Sequence, residues 1–266
     1  MHYSNSSVTR IMTILEYISK SSTALTIAEM SRELKIPKTS VFDIVHTLCD
    51  NEYLELEDDR FKTYKLGIKL FELGGRFLVK ADLHNVARPI LERAMLETGE
   101  TVFLVVEYSG ELVYLDKVIG SSSVLTGADL GSRNPMHCTG VGKALLATFS
   151  QDYVHQIICK HGLTKKTSKT ITDESQLYNE LKIIRERGYS IDDEENEYGV
   201  YCVAAPIRGI SEKPLAAISI ASLAAKMTED RKSLFSKIII ESALNISKKL
   251  GYSGDSLYDL KTLIKK

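Results

Sequence analysis

The stretch LTIAEMSRELKIPKTSVFDIVHTLCDNEYLE, residues 25–55, compresses two amphipathic helical patterns and a strand start into about thirty positions. Thr26-x-x-Glu29 is a capping box, in which a hydroxyl and a carboxylate satisfy each other's orphan backbone amides, and Ile27, Met30 and Leu34 then fall on one helical face. After Ile36-Pro37 a second run places Val41, Ile44, Val45 and Leu48 on a buried stripe and leaves Lys38, Thr39, Ser40, Asp43 and Thr47 outside. Upstream, Val8, Ile11, Ile14, Leu15 and Ile18 repeat at helical spacing until SKSST breaks the pattern. Downstream, YLELEDDRFKTYKL reads as two short strands around an Asp58-Asp59-Arg60 turn. Three short helices followed by a hairpin predict a winged helix-turn-helix over residues 1–66, with the third helix offering polar residues to a DNA groove. A plain helical bundle with a hairpin is the competing reading.

Charge alone does not choose between them. The chain of 266 residues carries 34 Lys and Arg against 35 Asp and Glu, so no overall field draws it to nucleic acid or to a membrane surface. Basic residues nevertheless cluster where phosphate contacts would be needed, at Lys35 and Lys38 and at Arg60, Lys62 and Lys65. Four scattered cysteines without CxxC pairing fit reduced thiols. The sequence has no long apolar run and a polar start, which predicts a cytoplasmic protein without a membrane span.

Residues 67–80 read as a linker helix, with a bend expected at Gly74-Gly75, and 81–266 as a second domain. From Thr101 two β-rich runs flank Ser109-Gly110, a hairpin signal. Helical runs at 141–149, 152–160 and 174–187 precede strands in YSIDDE, VYCVAAPIRG and PLAAISIASL, and a last helix covers 228–250. This order predicts an α+β domain with an antiparallel sheet.

HCTGVGKALLA, residues 137–147, looks like a phosphate loop but has its glycines too close together and no hydroxyl after Lys143. The start of its helix could instead hold a carboxylate. His137-Cys138 is a poor nucleophile–base pair, since adjacent residues seldom point at one another and no third group is identifiable. DDEENE, residues 192–197, lacks the spacing of a calcium loop and reads as a solvated turn entering a pocket.

GSRNPMHCTGVGKALLA (131–147) together with RGYSIDDEENEYGVYCVAAPIRGISEKPLAAISIAS (187–222) resembles the two characteristic segments of the IclR family of bacterial transcription regulators, and residues 25–55 resemble that family's winged helix-turn-helix. The resemblance implies a winged helix, a linker helix and a GAF-like effector domain in a homodimer or homotetramer that binds operator DNA. It implies DNA contacts at Thr26, Lys38, Thr39, Ser40, Asp43, Arg60 and Lys62, no catalytic residues and no cofactor. It also implies effector contacts at Gly140, Val141, Asp192, Val200, Cys202, Ser219 and Ala221. The expected effector is a small organic acid, such as a sugar-derived keto acid, controlling a catabolic operon. Three positions depart from the family pattern: Asp43 stands where arginine is usual, Ala221 where serine occurs, and Val141 where alanine is common. The alternative is an enzyme or metal sensor built around Cys138 and Cys202.

Overall fold

The computed structural model describes residues 5–80, 82–121, 128–211 and 214–258. The chain divides into two compact units, 1–81 and 82–266.

In the first unit α1 (Ser6–Ser19) is capped by Asn5, β1 (Leu25–Thr26) leads into α2 (Ile27–Leu34), and α3 (Lys38–Asp50) follows a tight turn. Lys35 takes a left-handed conformation with φ of 54° to end α2, and Pro37 presets the start of α3. The Thr26–Glu29 capping box is formed, with Glu29 Oε2 accepting from the Thr26 amide at 2.8 Å. Ile14, Ile18, Met30, Val41, Val45, Leu48 and Leu54 are buried together as one core. The expected two-strand wing, β2 (Leu54–Asp58) and β3 (Thr63–Leu66), gains a third strand because β1 pairs with β3. The short β1 has no alternating run, so periodicity could not reveal it.

The linker helix α4 (Ile68–Lys80) continues through Gly74 and Gly75, where the sequence led us to expect a bend. Glycine lowers helix propensity by about 1 kcal/mol, too little to end a helix that residues on both sides favour.

The second unit opens with α5 (Asp82–Thr98). Then β4 (Thr101–Tyr108) and β5 (Glu111–Val118) form a hairpin whose two-residue turn has positive φ at both Ser109 and Gly110, as the twist of the strands requires. β6 (Arg133–Pro135), α6 (Gly140–Leu146), α7 (Gln151–His161), α8 (Glu174–Arg187), β7 (Ser190–Asp193), β8 (Val200–Arg208), β9 (Pro214–Leu223) and α9 (Glu229–Lys249) complete it. Among the described residues the strands make one antiparallel six-stranded sheet in the order β6-β5-β4-β9-β8-β7. The expected α+β class is therefore observed.

The pleat sorts this sheet into two surfaces. Register aligns Asp192 with Cys202 and Cys202 with Ala221, and aligns Ala204 with Ser219 and Ser219 with Phe103. That face receives α6, since a Cβ added at Gly140 would lie 3.4 Å from the Cβ atoms of both Cys202 and Ala204. Tyr201, on the alternate positions, faces α9 through the Lys232 ammonium at 5.7 Å from its ring. No helix among the described residues is long and apolar enough to cross a membrane.

Two glycines give opposite expectations. A Cβ at Gly142 would sit 2.2 Å from Met136 O, so Gly142→Ala should destabilise the second unit by about 1–3 kcal/mol. A Cβ at the exposed Gly74 meets nothing within 4 Å, so Gly74→Ala should stabilise α4 by roughly 0.5–1 kcal/mol. Denaturant unfolding of both variants checks the signs. A fragment of residues 82–266, holding its own core of α5, sheet and α9, is expected to fold alone, as a cooperative thermal transition would show.

Candidate functional site

The sheet face under α6 bounds a cavity of about 330 Å³. All seven positions expected to hold an effector line it: Gly140, Val141, Asp192, Val200, Cys202, Ser219 and Ala221. Phe103, Tyr114, Ala128, Asn134, Thr139, Lys166, Asn196 and Glu197 also line it, and sequence reading missed them. Phe103 and Tyr114 stack edge-on at 5.5 Å between centroids. The Tyr114 hydroxyl accepts from Asn134 Nδ2 at 3.3 Å, and burial pushes its ionisation up to about 12, so it meets a ligand as a neutral phenol.

The approach at Gly140 follows from local chemistry. Thr139 caps α6, its Oγ1 accepting from the Gly142 amide at 3.2 Å, and the Lys143 amide donates to Thr139 O at 2.9 Å. The amides of Gly140 and Val141 are first-turn donors without an intrahelical partner. Ser190 Oγ donates to Gly140 O at 2.6 Å and fixes the peptide from below.

Asp192 is 3% exposed on the cavity floor. Its Oδ1 accepts from the Glu195 amide at 2.8 Å and from the Asn196 amide at 3.4 Å. Burial outweighs these bonds and raises its carboxyl to about 7, so near neutral pH it exists in both protonation states and can donate or accept.

The turn after Asp192 is not the solvated segment that its composition suggested. Glu195 is buried and takes a hydrogen bond from Lys143, whose side chain is wholly buried, and Glu180 Oε1 lies 3.9 Å from the same ammonium. Thr170 Oγ1 donates to Glu195 O at 2.6 Å and Thr167 Oγ1 to Glu194 O at 2.7 Å. Lys169 pairs with Glu194 at 2.6 Å. Acids and loop cations so far apart in sequence cancel one another only in three dimensions, which is why composition misjudged the turn.

The matched positions contain no lysine or arginine, yet the fold brings Lys166 to the cavity wall. It is exposed, has no carboxylate partner among the described residues, and comes from a loop outside both recognised segments. The thiols argue against nucleophilic chemistry. Burial pushes Cys138 up to about 12 and Cys202 well above the usual thiol range, so both stay protonated. His137 turns to Thr164 O at 3.0 Å, while Cys138 Sγ donates to Asn196 Oδ1 at 3.6 Å. Among the described residues no group of three His, Cys, Asp or Glu side chains is placed to hold a metal.

In the first unit Lys38, Thr39 and Asp43 are exposed on α3. Ser40 is half-buried and accepts from Arg10 Nη1 at 3.2 Å. The Thr26 hydroxyl is committed to its cap, donating to Glu29 Oε2 at 2.8 Å. At the wing, Lys62 pairs with Asp59 and Arg60 lies over the Phe61 ring at 5.4 Å, so these cations are partly engaged within the tip.

Comparison with known proteins reads the same two units. The family model described as IclR helix-turn-helix domain matches residues 7–58, and that described as Bacterial transcriptional regulator IclR C-terminal matches residues 75–248. The chain belongs to the IclR family of transcriptional regulators. It is 32% identical over 242 residues to the HTH-type transcriptional repressor AllR of Escherichia coli K12, covering 91% of this chain and 89% of that protein. The crystal structure of Thermotoga maritima IclR superposes with a TM-score of 0.81 at 33% identity, over 92% of this chain and 98% of that one. An IclR homologue from Microbacterium hydrocarbonoxydans, solved in complex with 4-hydroxybenzoate, reaches the same score at 25% identity, over 92% and 99%.

Two measurements test the cavity wall. Removing one partner of a buried ion pair strands the other, so Lys143→Met should cost about 3–5 kcal/mol in denaturant unfolding. Asp192 has a raised folded-state value, so its contribution to stability is complete below the unfolded carboxylate range and is lost as pH rises through about 7. Asp192→Asn should remove that part of the decline between roughly pH 4 and 7, read as the difference between the two stability curves.

Proposed function

We propose that this regulator is a repressor that binds operator DNA as a homodimer or homotetramer through its winged helix, and that a small hydroxylated organic acid in the 330 Å³ cavity controls its affinity. The observation that carries this reading is the convergence of seven residues from separate segments on one cavity that also holds a buried titratable carboxyl and a peripheral lysine. The Gly140 and Val141 amides and Ser219 supply donors for a carboxylate or keto oxygen. A bare anion would be repelled by ionised Asp192, whereas a ligand hydroxyl can donate to it, which favours hydroxylated acids. A sugar-derived keto acid meets both requirements. The aromatic pair Phe103 and Tyr114 also suits a hydroxylated aromatic acid, and the complex of the Microbacterium homologue with 4-hydroxybenzoate supports testing that class first. We place the protein in the cytoplasm, with its DNA.

Lys38, Thr39, Ser40 and Asp43, with the wing residues Arg60 and Lys62, are the proposed DNA contacts; Thr26 contributes chiefly by capping α2. Asp43 can accept from cytosine N4, so the operator preference should differ from that of relatives with arginine there.

Titration calorimetry against keto, sugar and hydroxybenzoic acids tests the pocket. Gly140→Leu should abolish binding, because Cys202 and Ala204 already lie at contact distance from a single added carbon. Ser219→Ala should weaken it by about 1 kcal/mol, the worth of one neutral hydrogen bond. Wild-type affinity in a folded Gly140→Leu variant would place the effector elsewhere. On operator DNA, Lys38→Ala should lower the slope of log affinity against log salt by about one. An unchanged slope would remove Lys38 from the phosphate contacts.

A further inference from the structure

A second cluster lies away from the cavity, on the outer surface of α7 and α8. His155 and Cys159 are one helical turn apart on α7, and both are exposed. His155 Nδ1 is 2.8 Å from Glu174 Oε1 at the start of α8, and Cys159 Sγ is 3.4 Å from His155 Nε2. The carboxylate accepts the Nδ1 proton, which fixes the tautomer and leaves the Nε2 lone pair facing the thiol. A nucleophile, a base within reach and a third group that orients the base are the arrangement by which proteins activate weak nucleophiles. The same helix pair offers room beside it. Tyr178, one turn along α8 from Glu174, donates from its hydroxyl to Gln151 O at 3.3 Å and lines a cavity of about 360 Å³ with Phe149, Lys182 and Arg185.

We propose that Cys159 is a thiol-modification site that takes low-molecular-weight disulfides, with His155 as its base and Glu174 as the residue that positions His155. The Cys159 proton passes to His155 Nε2, and Sγ attacks one sulfur of the disulfide. The S–S bond of the reagent breaks, and a new S–S bond joins Cys159 to one half. The other half leaves with the electron pair as a thiolate and is protonated by the imidazolium or by water. Cys159 is oxidised to a mixed disulfide while half of the reagent is reduced to a thiol, so no further oxidant is needed. Of the other cysteines, Cys138 is buried, and Cys202 is held protonated inside the effector cavity. Cys49 is only partly accessible, and burial pushes its thiol up.

The charged and titratable groups around the pair are Glu174 and Tyr178 from α8, Asp152 in the first turn of α7, and Lys160 and His161, both hydrogen-bonded to Ser109 O at 2.9 Å.

The test incubates the full chain with glutathione disulfide and follows adduct formation at each cysteine by peptide mass spectrometry. Cys159 should react first, at a rate that depends less steeply on pH than in His155→Gln, because His155 takes the thiol proton within the protein. In His155→Gln the rate at pH 7 should fall about tenfold and its dependence on pH should steepen, and Glu174→Gln should fall between the two. All three side chains reach the surface, so the variants are expected to remain folded, which circular dichroism verifies. First reaction at Cys49, or equal rates and equal pH profiles in wild type and His155→Gln, would overturn the proposal. Both readouts are independent of effector and DNA.

Discussion

Lys143 has no access to solvent, and its ammonium sits in the interior of the second unit because Glu195 meets it there. The cost of desolvating an ammonium and a carboxylate is recovered only when each has the other at hydrogen-bond distance, so the pair ties α6 to the turn between β7 and β8. That turn carries Asn196 and Glu197 to the cavity, β7 carries Asp192, and α6 carries Gly140 and Val141. The two walls of the cavity therefore share one electrostatic fastening. Thr167 and Thr170 add hydroxyl donors to the carbonyls of Glu194 and Glu195, which brings the loop bearing Lys166 under the same constraint.

A fixed cavity with a buried, near-neutral carboxyl suits selection among small acids. Asp192 is poised by competition between burial and two amide donors, so a ligand that presents a hydroxyl or a carboxylate shifts its protonation in opposite directions. Lys166 at the wall supplies the full positive charge that the matched family positions lack. Ala221 and Val141, both departures from the family pattern, line the same space.

The DNA-binding unit works with modest charge. Its cations at the wing are partly held by Asp59 and by the Phe61 ring, and Lys65 lies within 4 Å of both Glu55 and Glu57. Lys38 on α3 is exposed and free of such a partner among the described residues. Residues 1–66 carry a net charge of −2, with Asp43 exposed on α3 and Glu55, Glu57, Asp58 and Asp59 in β2 and the turn after it.

Residues 25–55 determined the helix-turn-helix by local rules alone: a capping box, a proline at the turn and a 3.6-residue apolar stripe act over a few positions and leave their signature in order. The hairpin turn at Ser109-Gly110 was legible for the same reason, since only residues tolerant of positive φ fit it. That seven separated positions share one cavity was legible through resemblance, because two segments carry them as recognisable runs. Only the tertiary structure decided that β1 joins the wing, that Glu195 is buried rather than solvated, that Lys166 reaches the cavity, and that Glu174 meets His155. Each depends on groups distant in sequence whose charges or hydrogen bonds become satisfied only when the chain is folded. Local propensity cannot encode that reciprocity, because it acts over a few neighbouring positions and these partners meet only across the folded chain.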